Sequence, residues 1–178
     1  MKLYQYERND GSAFNEALVD YMRATGKNMP VSMLNGETPE TRKGKHGKPY
    51  FAEQELKDVF FSRSHSHEYE IVCFSDSEIG VDCEDLRARK TRTTDFEKIA
   101  KRCFAEDEYA YIMQGRPGAV ERFFDIWTAK EAYVKYTGRG FSEGFSGFSV
   151  FRLPEVIIDT GRLEGAPHVV YSVCRSNG

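Results

Sequence analysis

The chain has 178 residues, 40% hydrophobic, 30% charged and 13% aromatic, with a formal net charge of −3. A chain of this size and aromatic content buries enough apolar surface for a packed domain without disulfides or a structural metal, which excludes a disordered polymer. No apolar run approaches the roughly 20 residues of a membrane-spanning helix, no apolar signal segment opens the chain, and the acidic balance argues against a general nucleic-acid binder.

In chain order, Ser12 to Thr25 predicts a short helix, with Phe14, Ala17, Leu18, Tyr21 and Met22 at helical spacing and Gly26 to stop it. Residues 27–50 hold Pro30, Gly36, Pro39, Gly44, Gly47 and Pro49 and predict an irregular segment. Tyr69–Phe74 and Ile79–Glu84 have strand character, and the polar residues between them predict an antiparallel hairpin. Thr94-Asp95 opens a helix through Phe104, and Ala105 to Gln114 forms a shorter one. The strongest helix starts near Pro117, runs to Tyr136 and ends at Gly138. Phe145–Leu153, Val156–Asp159 and His168–Cys174 read as short strands. Helices mixed with hairpins imply an α+β fold rather than a doubly wound parallel sheet.

Cys73, Cys83, Cys103 and Cys174 are too scattered for a zinc knuckle or a redox pair, and are expected as small buried residues in a reducing cytosol. Charge is uneven. Thr41–Ala52 carries Arg42, Lys43, Lys45, Lys48 and His46 with no acid, and Leu86–Arg102 carries a basic excess. Two basic patches on an acidic chain suggest anionic partners at defined places.

Strand alternation puts the Asp82 and Glu84 carboxylates on one face and Cys83 on the other. Like charges side by side repel unless a cation lies between them, and hard oxygen ligands suit Mg²⁺; a solvated strand edge is the plain alternative. Trp127, Lys130, Glu131 and Lys135 share the strongest helix. There Glu131 and Lys135 also fit an ordinary surface pair, and Trp127 fits the core. Ser64-His65-Ser66 reads as a short loop able to cradle a phosphate. A Ser/His nucleophile and base is disfavoured, because catalytic triads are assembled from distant positions.

Taken in order, these segments resemble the 4'-phosphopantetheinyl transferases, in the longer surfactin-synthetase-activating type with two pseudo-symmetric halves in one chain. Gly47-Lys48-Pro49-Tyr50 is similar to the family's Gly-Lys/Arg-Pro motif. Phe61-Ser62-Arg63-Ser64-His65-Ser66 resembles its Phe-Asn-x-Ser-His-Ser segment, and Gly80-Val81-Asp82-Cys83-Glu84 its Gly-Ile-Asp-x-Glu strand. The stretch from Trp127 to Gly140 is close to its Trp-Thr-x-Lys-Glu-Ala-x-x-Lys-x-x-Gly-x-Gly helix and turn. Ser62 stands where the family usually has Asn, and His67 where it often has Gly. The N-terminal part is shorter than in full-length members, and Arg42, Lys43 and Lys45 are candidates for the basic residues the family places there.

The resemblance implies one domain over 1–178, with halves of about 1–90 and 91–178, each a short antiparallel sheet on helices. The ligand would lie in the cleft between them. It implies Mg²⁺-dependent transfer of 4'-phosphopantetheine from coenzyme A to a serine of an apo acyl or peptidyl carrier protein, releasing adenosine 3',5'-bisphosphate. Asp82, Glu84 and Glu131 would hold the metal, with Glu131 also the general base and Lys135 the phosphate clamp. Lys130, Ser64 and His65 would contact phosphates, His65 near the 3'-phosphate, and Lys48 and Pro49 would border the adenine end. Arg87, Arg89, Lys90 and Arg92 form a candidate docking patch for an acidic carrier, and Glu106-Asp107-Glu108 reads as a helix N-terminal turn. A cytoplasmic monomer with no membrane or nucleic-acid partner is expected. Two rivals are a Mg²⁺-dependent nuclease, disfavoured because Leu86 replaces the strand lysine, and a non-catalytic coenzyme A or carrier-binding module of the same fold.

Overall fold

The computed structural model describes residues 1–8, 12–88, 95–115, 117–140 and 144–178. The strands are β1 (Lys2–Glu7), β2 (Thr41–Lys43), β3 (Pro49–Phe51), β4 (Phe60–Ser66), β5 (Tyr69–Ser75), β6 (Ile79–Asp85), β7 (Val156–Leu163) and β8 (Ala166–Ser176). The helices are α1 (Ala13–Thr25), α2 (Val31–Leu34), α3 (Phe96–Cys103), α4 (Glu106–Met113) and α5 (Ala119–Thr137). The fold is α+β, with small antiparallel sheets packed on helices.

One sheet has the order β1-β5-β4 and another β6-β8-β7, and β2 and β3 form a small hairpin of their own. β1 pairs with β5 from Lys2 opposite Phe74 to Glu7 opposite Tyr69. The predicted β5–β6 hairpin is corrected: β5 pairs with β4, whereas β6 pairs with β8, Asp82 opposite Ser172 and Glu84 opposite Val170. The chain therefore changes sheets between Ser75 and Ile79. Two further expectations change. Ser64-His65-Ser66 ends strand β4 rather than forming a loop, and Phe145–Leu153 contains two short 3₁₀ turns rather than a strand. Residues 27–50 hold α2 and the β2–β3 hairpin. Thr94 lies outside the described residues.

α1 lays Leu18, Tyr21 and Met22 on Phe61, Val72 and Phe74 of the first sheet. The opposite face of that sheet, with Ile71 and Cys73, packs on Val81, Cys83, Val169 and Val173 of the second. Cys73, Cys83 and Cys174 are free and buried, as expected of small apolar residues, and Cys103 is half-buried. α5 covers the second sheet's other face, and Trp127 joins Phe104, Phe123 and Phe145 in an aromatic cluster, so the core reading of Trp127 holds.

Two backbone positions matter for the site. A Cβ on Gly80 would stand 2.0 Å from the Ala132 carbonyl oxygen and 2.4 Å from the Tyr136 nitrogen. Only a residue without a Cβ lets β6 run this close beneath α5. His67, in the β4–β5 turn, has φ 54°, the left-handed region that favours glycine. Among the described residues no helix is long and apolar enough to cross a membrane.

Candidate active site

β6 alternates as its sequence predicts. Val81 and Cys83 enter the core between the sheets, while Gly80, Asp82 and Glu84 take the other face, against α5. Asp82 and Glu84 are both buried, so the solvated strand edge is not what forms. α5 ends at Gly138, whose φ of 62° and N–H to the Val134 carbonyl oxygen at 3.1 Å close the helix. Lys135 lies in that last turn, and its Nζ donates to Asp82 Oδ1 at 2.8 Å. Glu131 and Lys135 are thus not a mere surface pair, because α5 turns them onto β6.

Three serines of β4 stitch the sheets together beside these carboxylates. Ser62 Oγ accepts from the Val81 N–H at 3.0 Å and Ser66 Oγ from the Asp85 N–H at 2.9 Å. Ser64 Oγ donates to Asp82 Oδ1 at 2.7 Å, and Ser66 Oγ donates to Glu84 Oε2 at 2.9 Å. The side chains thereby satisfy β6 N–H groups on the edge that β8 does not pair. Ser64 is buried and engaged with Asp82. His65, at the alternate position, is exposed and is not brought to the carboxylates.

Burial pushes the Glu131 carboxyl up to about 7; the charges of Asp82 and Glu84 add to the shift, and Lys135 opposes it. The three carboxylates therefore share one electrostatic environment. Among the described residues, however, no three His, Cys, Asp or Glu side chains are grouped closely enough to hold a metal ion. The donor chemistry fits Mg²⁺. All three groups offer hard oxygens, and their mutual repulsion is what a cation relieves.

Glu131 and Lys135 line a cavity of about 300 Å³ together with Lys48, Pro49, Ser62 and Arg63. Lys48 spans it. Its Nζ donates to the Tyr136 carbonyl oxygen at 2.9 Å and the Ile79 carbonyl oxygen at 3.1 Å, and pairs with Glu78. That ammonium sits at the negative end of α5 and clasps the segment before β3 to both β6 and the helix. Arg63 was missed by sequence reasoning. It holds a motif position without a fixed residue, and only the strand's alternation turns it to the open face, where Glu70 pairs with it at 3.3 Å.

Lys130 is not brought to this group. It is fully buried, and its ammonium meets Glu108 Oε2 at 2.9 Å, which corrects the expectation of a phosphate contact. Glu106-Asp107-Glu108 does form the first turn of α4, but Glu108 points inward. A signal for this was present. Lys130 continues the apolar stripe of Phe123 and Ile126 at i+7 and i+4, so a core position was legible. Of the basic docking patch, Arg89, Lys90 and Arg92 lie outside the described residues, while Arg87 is tied to Asp85.

Known proteins share part of this sequence. The family model of the 4'-phosphopantetheinyl transferase superfamily matches residues 78–173, more than half of the chain and the part carrying Asp82, Glu84, Glu131 and Lys135. A 4'-phosphopantetheinyl transferase of Bacillus subtilis is 38% identical over 107 residues, 59% of this chain and 44% of that protein. The 4'-phosphopantetheinyl transferase gsp of Aneurinibacillus migulanus is 34% identical over 100 residues, 56% of this chain and 38% of that protein. The 4'-phosphopantetheinyl transferase AcpT of Escherichia coli K12 is 35% identical over 102 residues, 56% of this chain and 49% of that protein. The matched segment thus spans less than half the length of each of these relatives. By the family match and the motifs it contains, the chain belongs to the 4'-phosphopantetheinyl transferase superfamily.

Proposed function

We propose that this chain transfers the 4'-phosphopantetheine group of coenzyme A to a serine hydroxyl of an apo carrier protein, releasing adenosine 3',5'-bisphosphate. One observation carries the reading: α5 sets Glu131 and Lys135 against the buried carboxylates of β6, with Lys135 2.8 Å from Asp82, beside a cavity walled by Lys48 and Arg63. A surface ion pair needs none of this burial.

The carrier serine Oγ attacks the pantetheine-bearing phosphorus, the anhydride P–O bond breaks, and the bisphosphate leaves with the electron pair. Glu131 takes the serine proton. Burial raises this carboxyl to about 7 before any metal binds, and a general base works best near the ambient pH. Lys135 neutralises charge on the leaving oxygen, where a preorganised cation acts most strongly. Asp82, Glu84 and Glu131 would hold Mg²⁺, which when bound supplies Lewis-acid stabilisation of the phosphates. Lys48 and Pro49 border the adenine end, and Arg63 and His65, on one face of β4, offer a guanidinium and an imidazole to the nucleotide phosphate. The chain is read as one domain over 1–178 with halves of about 1–90 and 91–178.

The test is incubation with coenzyme A, Mg²⁺ and a panel of apo carrier proteins, read by intact mass. The expected result is a gain of one phosphopantetheine group on at least one carrier, lost on chelation. Coenzyme A binding with no modified carrier across the panel would favour the non-catalytic module instead.

A further inference from the structure

Lys130 and Glu108 are both fully buried and stand 2.9 Å apart. Lys130 Nζ also donates to the Phe145 carbonyl oxygen at 2.7 Å and to the Phe148 carbonyl oxygen, and lies 3.9 Å from the centre of the Phe148 ring. Glu108 in turn accepts from the Ala105 and Val150 N–H groups, each at 2.8 Å. Thus α4, α5 and the 145–150 segment meet at one ion pair. An ammonium has three N–H donors, and here a carboxylate and two carbonyls use all three, which leaves none for a ligand phosphate.

Desolvating two charges is costly, and a well-packed apolar pair of similar volume often stabilises a fold equally well. What an apolar pair lacks is direction. We infer that Lys130 is a positioning residue: its ion pair with Glu108 fixes the rotation of α5 and so aims Glu131 at the β6 carboxylates. The inference rests on the transferase reading of Glu131. Adjacent helix residues are separated by about 100°, so the Lys130 anchor determines where Glu131 points. A 20° turn of α5 would move a carboxylate about 5 Å from the axis by about 2 Å, and a misplacement of about 1 Å can cost about a hundredfold in rate.

The test uses the full chain and the variants Lys130→Met, Glu108→Gln and the double variant. Coenzyme A binding is read by calorimetry, transfer kinetics at matched folded fraction, and stability by urea unfolding. We expect both single variants to bind coenzyme A within about threefold of wild type while kcat falls about tenfold or more. The double variant should be more stable than the sum of the single losses predicts, because each single change leaves a buried charge unpaired. A coenzyme A affinity weakened about tenfold or more by Lys130→Met but not by Glu108→Gln would make Lys130 a ligand contact and overturn the proposal. Normal kcat in both variants would overturn it too. If Lys130→Met does not fold, Glu108→Gln decides alone, since Glu108 lies on α4 and touches no ligand in either account. A wild-type chain that transfers nothing refutes the transferase reading, whereas unfolding of the three variants still reports whether the pair is coupled.

Discussion

Lys135 reaches across 53 residues of sequence to place its ammonium 2.8 Å from Asp82 Oδ1, where Ser64 Oγ donates as well. Two donors on one buried carboxylate oxygen, one from β4 and one from α5, tie both elements to β6 at the point where the proposed chemistry occurs. Each side of the contact makes its own prediction.

Asp82→Ala should lower transfer by on the order of 10²–10³ while coenzyme A binding survives in part, because Arg63 and Lys135 remain. Glu84→Ala should follow the same pattern. Calorimetric titration alongside the transfer assay checks this. Wild-type turnover in both variants at saturating Mg²⁺ would remove these residues from the metal site.

Lys135→Met should cost some stability, since its side chain is 31% exposed but the Asp82 carboxylate it leaves behind is buried. Turnover should fall and the coenzyme A requirement should rise, because a phosphate contact is lost in both ground and transition states. Steady-state kinetics with thermal melting on the same preparation separates the two effects.

Glu131 gives a pH signature. Its carboxyl is raised from 4.5 to about 7, by burial first and by Asp82 and Glu84 next. The folded chain therefore keeps a proton that the unfolded chain has lost, and its stability falls as pH rises from the lower value through the upper one, levelling off only beyond it. Glu131→Gln should remove that slope, so its melting temperature gains on wild type across the same window. Mg²⁺ binding should also release a proton from wild type below about pH 7 but not from the variant. Calorimetry in two buffers of different ionisation enthalpy reads this directly, and equal proton release from both proteins would refute it.

Gly80 makes the structural prediction. Its φ is not positive, so only the close approach to α5 forbids a side chain. Gly80→Ala should cost about 3 kcal/mol or more, at the upper end of overpacking effects. Ser66→Ala, which leaves the Asp85 N–H unpaired in the interior, should cost about 1–3 kcal/mol. Urea unfolding of both variants measures these, and midpoints equal to wild type would show that β6 is not held as described.

What the sequence disclosed was local. Gly26 and Gly138 mark helix ends that occur where their spacing predicts, and strand alternation put Asp82 and Glu84 together. What it hid was long-range. The polar residues Ser75 to Glu78 are a good hairpin turn by composition, yet β6 finds its partner in β8 near the far end of the chain. The close passage of Gly80 under Ala132 shows why: β6 belongs with the layer that α5 covers. Ser64 read as a loop hydroxyl because nothing local shows that Asp82 will lie beside it. Lys130 sits on an apolar stripe that made a core position legible, but its partner Glu108 was not, because it comes from a different helix.

The most direct measurement is simultaneous quantitation of holo-carrier and adenosine 3',5'-bisphosphate, comparing wild type with Glu131→Gln at matched folded fraction. The account predicts that wild type forms the two products one for one and that Glu131→Gln forms both at a rate lower by on the order of 10²–10³. Equal rates from the two proteins would contradict it, returning the Glu131 face of α5 to a structural role and leaving the family relationship as one of fold.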